Sequence, residues 1–148
     1  MSRDLSIGLV DTGVNGWPSH VRGRVDGCAL RVADDGTIRE DDDYRDACGH
    51  GTAVAGVLRA GLPQARIFAV RVFDASLATY PTLVARGILH AAAAGCEFIN
   101  LSLAVAPGPG TRALADACAA ALRAGCTIVA AEGPPGSGAL PAALPGVH

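Results

Sequence analysis

Two residues carry side chains suited to acid–base chemistry, one closing an apolar strand and one opening a helix. Asp11 closes an apolar run, Ile7-Gly8-Leu9-Val10-Asp11-Thr12-Gly13, and His50 lies between glycines in Cys48-Gly49-His50-Gly51-Thr52. A carboxylate at the end of a buried strand is poorly solvated and needs hydrogen-bond donors to stay ionised. The ring N–H of a histidine is one such donor. A histidine that opens a helix meets the positive end of the macrodipole, which favours neutral imidazole, the form a general base needs. Flanking glycines leave the ring open to a substrate. Taken singly, each residue also fits a structural role: Asp11 as a turn aspartate at a strand-to-loop corner, His50 as a helix-end or surface histidine.

Other groups that could do chemistry read more plainly. Asp34, Asp35, Asp41, Asp42, Asp43 and Asp46 form an acidic stretch whose spacing is not that of an EF-hand calcium loop, and it reads as a solvated surface segment. Asp46, Cys48 and His50 could touch a metal, but a Cys-x-His trio in a glycine-flanked loop is weak evidence for a site, and no metal and no cofactor is expected. The five cysteines, Cys28, Cys48, Cys96, Cys118 and Cys126, are odd in number and match no zinc or redox spacing. They read as reduced, mostly buried thiols in a cytoplasmic protein.

The elements that must position these residues follow from the hydrophobic pattern. Half of the 148 residues are apolar and 18% are charged, which excludes a disordered chain and allows one domain with a real core over residues 1–148. The net charge of −2 is spread along the chain, so there is no basic stripe for nucleic acid, and no apolar run is long enough for a membrane span. The start of the chain lacks a signal-peptide layout.

Residues 5–10 read as a strand, 24–32 as a second strand of weaker alternation, and 33–47 as a polar loop. A helix is expected over 52–60, with Val54, Val57 and Leu58 at helical spacing and Gly61 and Pro63 as stops. Strands over 66–73, 97–103 and 127–131 alternate with helices over 81–94, which Thr79 would cap, and 111–124. Such alternation predicts an α/β fold, a three-layer parallel sheet with helices on both faces. In these sheets functional groups gather at the carboxyl ends of strands, where Asp11, Leu103 and Glu132 all fall. Residues 140–148 read as the lead-in to a further strand, so the fold is expected to be incomplete at the carboxyl terminus.

Asp-Thr-Gly after an apolar strand, followed by His-Gly-Thr opening an apolar helix, resembles the subtilisin-like serine peptidases, in which Asp, His and Ser follow in that chain order. The likeness continues in Ala53-Val54-Ala55-Gly56, in Ala69-Val70-Arg71-Val72-Phe73, in Ile99-Asn100-Leu101-Ser102-Leu103 and in Ile128-Val129-Ala130-Ala131. The ordered set covers most of the chain and is similar to the amino-terminal part of a subtilisin-like domain. The resemblance implies a serine endopeptidase acting on peptide or protein substrates. Asp11 would orient and charge-stabilise His50, and His50 would take a proton from a serine hydroxyl. Leu101, Ser102 and Leu103 would pair with an extended peptide as an added strand.

The chain departs from that pattern at the nucleophile and at the oxyanion loop. The family's serine opens a late helix in a Gly-Thr-Ser-x-Ala segment, and none of Ser2, Ser6, Ser19, Ser76, Ser102 and Ser137 stands in one. Pro134, in Ala131-Glu132-Gly133-Pro134, aligns with the asparagine whose amide serves the oxyanion in many relatives, and proline offers no donor. Ala53 stands where many relatives have a second histidine, and Ala104 where many have glycine. Two explanations stay open: a piece of a longer active peptidase, whose serine a complementing fragment could supply, or a pseudopeptidase that binds peptides without cutting them. Either predicts a chain inactive by itself.

Asp-Thr-Gly is also the motif of aspartic peptidases, but those are all-β proteins, against which the Ala-rich helical stretches argue. A nucleotide-binding α/β domain fits the alternation. However, Gly13-Val14-Asn15-Gly16 is not the Gly-x-Gly-x-x-Gly fingerprint.

Overall fold

The computed structural model describes residues 4–148. Its central strand, β1 (Ser6–Asp11), is buried along its whole length, which explains the apolar run that ends at Asp11. Successive side chains of a strand point to opposite faces. Accordingly Leu9 joins a cluster with Val14, Val21, Ala55, Ile67 and Ala69 on one face. Gly8 and Val10 meet Ala91 and Gly87 on the other.

The remaining elements are β2 (Val25–Val32), β3 (Ile38–Asp41), α1 (His50–Gly61), β4 (Arg66–Arg71), α2 (Pro81–Ala93), β5 (Phe98–Leu101), α3 (Thr111–Arg123) and β6 (Thr127–Ala130). They build a six-stranded sheet in the order β3-β2-β4-β1-β5-β6. All pairings are parallel except β2 with β3. Helix α1 covers one face, and α2 and α3 pack together on the other. The mostly parallel α/β sheet with helices on both faces is the architecture expected from the alternation of elements.

Three local expectations are corrected. The segment 33–47 is not all loop. A tight turn, with Ala33 N–H donating to the Thr37 carbonyl, folds β3 back antiparallel onto β2. Only Ile38 of this strand reaches the core, and its charged residues mark it as a sheet edge, which is why its pattern reads as polar surface. Helix α1 starts at His50, two residues early, and its buried face is Gly51, Thr52, Ala55 and Arg59. Val57 is 75% exposed, because the helix approaches the sheet through its smallest side chains. Thr79 does not cap α2: its hydroxyl donates to the Val72 carbonyl, and the cap position is Tyr80 with Pro81 behind it.

The core lies mainly between the sheet and the α2–α3 pair. Val10, Val70, Ile88, Ile99, Leu101, Leu114 and Ile128 are fully enclosed there. The strand expected over 97–103 is regular only from Phe98 to Leu101. Ser102 and Leu103 continue past its end toward Val105, which bridges Leu140. At the far edge His148 bonds both Ile128 and Ala130 of β6 through its backbone. Among the described residues, no helix is long and apolar enough to cross a membrane.

Candidate active site

From β1 the chain moves outward to β2 and β3 on one side. After β4 it crosses to β5 and β6 on the other. The carboxyl end of β1 therefore lies where the strand order changes direction, the position at which open α/β sheets collect functional groups. Asp11 is the last residue of β1, and only 1% of it is exposed. Being an odd-numbered residue in the same phase as Leu9, it faces α1.

His50 is the first residue of α1, and its Nδ1 lies 2.7 Å from Asp11 Oδ1. The same carboxylate oxygen accepts the Thr12 N–H at 2.7 Å. A carboxylate only accepts, so Nδ1 carries the proton and donates it to Asp11. Nε2 is then left as the acceptor of the neutral ring. The imidazole is half exposed, and among the described residues no hydrogen bond occupies Nε2. Asp11 Oδ2 is buried without a partner. The arrangement is a base aimed outward, held from behind by a buried carboxylate.

Two glycines permit this approach. Gly49, at the start of α1, has φ of 98°, a conformation that side chains strain to adopt. A Cβ on Gly51 would stand 2.0 Å from the Gly13 carbonyl oxygen, so any side chain there would push the helix away from the end of β1.

The pair sits on a hydrogen-bonded platform centred on Asp46. Asp46 Oδ1 accepts the Thr12 hydroxyl at 3.0 Å and the N–H groups of Cys48 and Gly49 at 2.9 and 2.8 Å. Its Oδ2 accepts the Thr52 N–H at 2.9 Å and the Thr52 hydroxyl at 2.6 Å. The Thr12 hydroxyl in turn accepts the Gly51 N–H at 2.9 Å. The Asn15 side chain bonds both backbone groups of Asp46, at 3.0 Å each. Burial pushes the Asp46 carboxyl up, but the donors from Thr52, Gly49 and Cys48 outweigh it and hold the group below the usual carboxylate range.

This corrects the reading of Asp46 as one more solvated acid: it is 9% exposed and fully engaged. The signal available in the sequence is its position ahead of a glycine-opened helix, where an aspartate caps and turns the chain. The true surface acids pair with arginines, Asp41 with Arg31 and Asp43 with Arg45. Among the described residues, no group of three or more His, Cys, Asp or Glu is placed to hold a metal ion.

Leu101, Ser102 and Leu103 lie at the carboxyl end of β5, the strand beside β1. The Leu101 and Leu103 side chains are buried. The Ser102 hydroxyl accepts a hydrogen bond from the Asn100 amide at 2.9 Å. Among the described residues, the backbone of Ser102, Leu103 and Ala104 makes no hydrogen bond to other backbone. The loop after β6 carries Glu132, Gly133, Pro134, Pro135 and Ser137 around a shallow pocket. Of the serines, Ser6 is buried in β1, Ser76 binds Asp74, and Ser137 accepts the Ala139 N–H. Ser2 lies outside the described residues.

Comparison with known proteins agrees with this architecture. Residues 2–146 match the Subtilase family. Thermitase of Thermoactinomyces vulgaris is 36% identical over 141 residues, an alignment covering 88% of this chain and 48% of that protein. Subtilisin DY of Bacillus licheniformis is 34% identical over 146 residues, covering 90% and 48%. The chain thus spans about half the length of the curated relatives it matches. Among solved structures, the epidermin leader peptide processing serine protease of Staphylococcus aureus superposes with a TM-score of 0.80 at 21% identity, over 97% of this chain and 45% of that one. A lanthipeptide protease gives 0.80 at 21% identity, over 97% and 47%. With a family match that runs nearly end to end and relatives above 30% identity, the chain belongs to the subtilase family.

Proposed function

We propose that this chain supplies the aspartate and histidine of an Asp-His-Ser triad for peptide-bond hydrolysis, and that the serine is not among its own hydroxyls. The observation that carries the reading is the bond from His50 Nδ1 to buried Asp11, which leaves Nε2 open. In this role Nε2 takes the proton from an attacking serine hydroxyl and later returns it to the leaving amine. Asp11 holds the tautomer and stabilises the imidazolium, without itself being protonated. The substrate is a peptide or protein segment laid along Leu101, Ser102 and Leu103. The unpaired backbone there suits strand addition.

The direct test joins residues 1–148 to a carboxyl-terminal half of subtilisin DY that contains that family's serine segment. The joined protein should label with a fluorophosphonate, and His50→Ala should abolish labelling. Labelling that survives His50→Ala contradicts the reading. Residues 1–148 alone should neither label nor hydrolyse peptides.

A second reading, peptide binding without cleavage, draws on Pro134. It stands in the loop after β6, where an amide donor would serve the oxyanion, and losing one such donor costs about two to three orders of magnitude in rate. A cytoplasmic setting, which keeps thiols reduced, suits the five free cysteines.

A further inference from the structure

Asp11 alone does not explain how His50 is held. A single hydrogen bond fixes one atom of the ring, but the ring's direction depends on the backbone that carries it. That backbone is the first turn of α1, which has no side-chain cap from its own cap residue, Gly49. The four leading N–H groups of a helix need acceptors from elsewhere. Here the Thr52 N–H goes to Asp46, and the Gly51 N–H goes to the Thr12 hydroxyl, which itself donates to Asp46. On the other side of His50, Cys48 and Gly49 donate to Asp46 as well. Every residue within two positions of His50 is therefore tied to one carboxylate, directly or through Thr12.

The same carboxylate reaches the other half of the pair. Thr12 follows Asp11 and donates its N–H to Asp11 Oδ1, the oxygen that holds His50. Asn15 closes the platform by bracing the backbone of Asp46 and donating its own N–H to the Thr52 hydroxyl oxygen. We infer that Asp46 is a positioning residue for the Asp11–His50 pair, setting the distance between the end of β1 and the start of α1 so that the imidazole meets Asp11. The catalytic meaning of that role rests on the function proposed above; the geometric role does not.

The need for a carboxylate follows from counting donors. Five converge on its two oxygens. An amide would turn an NH2 group toward donors on one side, so Asp46→Asn is disruptive despite its matched shape. Helix geometry adds to the preference, because negative charge is favoured at a helix start.

The test reads the ring rather than stability. Residues 1–148 carrying 15N-histidine are examined by NMR for the His50 Nδ1–H proton, which a strong bond to Asp11 protects from exchange. Asp46→Asn and Thr12→Val should lose this signal while the amide fingerprint of α2 and α3 stays native. Thr12→Ser, which restores the hydroxyl, should keep it. Ile88→Val, which loosens the core far from the pair, should lower the melting temperature and leave the signal in place.

A folded Asp46→Asn that retains the signal overturns the inference. If that variant does not fold, Thr12→Val decides, and retention of the signal there overturns it. Absence of the signal in the unmodified chain, or its persistence in Asp11→Ala, would instead refute the Asp11–His50 pair itself, so the two failures are told apart.

Discussion

Asp11 and Asp46 show how two carboxylates of one type take different tasks from their surroundings. Asp11 has one buried oxygen on the histidine and one without a partner, whereas Asp46 has both oxygens filled by donors. Because the folded Asp46 carboxyl titrates below its usual range, its stabilising contribution is complete above that range and is lost as pH falls through the lowered value. Melting curves of the unmodified chain and Asp46→Asn should therefore differ most at neutral pH and converge in acid. Removing the side chain in Asp46→Ala leaves buried donors unmatched and should cost about 3 kcal/mol in denaturant unfolding. The cysteines give a separate check. Cys48 is exposed, while Cys28, Cys96, Cys118 and Cys126 are buried, and burial raises the Cys28 and Cys118 thiols to about 11. Native alkylation followed by peptide mass mapping should modify Cys48 first and spare the other four until the protein unfolds.

At the scale of elements, the helices and strands around the pair were legible because their patterns are strong. The continuous apolar run before Asp11 marks a buried parallel strand. Pro81 and Gly95 bracket α2 as a helix start and stop. What stayed hidden has physical reasons. Strand β3 touches the core through one side chain only, so its four residues lack a readable apolar face. Helix α1 turns Gly51, Thr52 and Ala55 inward, and small residues do not register as a hydrophobic stripe. Asp46 looked like its acidic neighbours because burial of a single carboxylate depends on partners up to 34 residues away in the chain. The close approach of α1 to β1 makes Gly51→Ala a sharp probe. The added methyl meets the Gly13 carbonyl, and the variant should lose the His50–Asp11 bond while the α2–α3 side remains folded, as read from amide spectra. On that opposite side, Ile88→Ala removes a fully buried side chain and should lower stability by about 2–5 kcal/mol without disturbing the histidine.

For the whole molecule, the sheet order explains why residues 39 positions apart meet. Strand β1 is central, α1 packs on one of its faces, and the start of that helix comes to the strand's carboxyl end. The α2–α3 layer lies on the other face and gives the sheet its main core. The active-site proposal depends on one property of this arrangement: Asp11 fixes His50 with the proton on Nδ1 and leaves Nε2 to accept. The most direct measurement is a long-range 1H–15N correlation spectrum of 15N-histidine-labelled chain near neutral pH. The expected result is that His50 is the Nδ1–H tautomer and that Asp11→Ala, which removes the acceptor, shifts it to Nε2–H. A His50 ring that is already Nε2–H, or one that does not respond to Asp11→Ala, would contradict the Asp11–His50 pair.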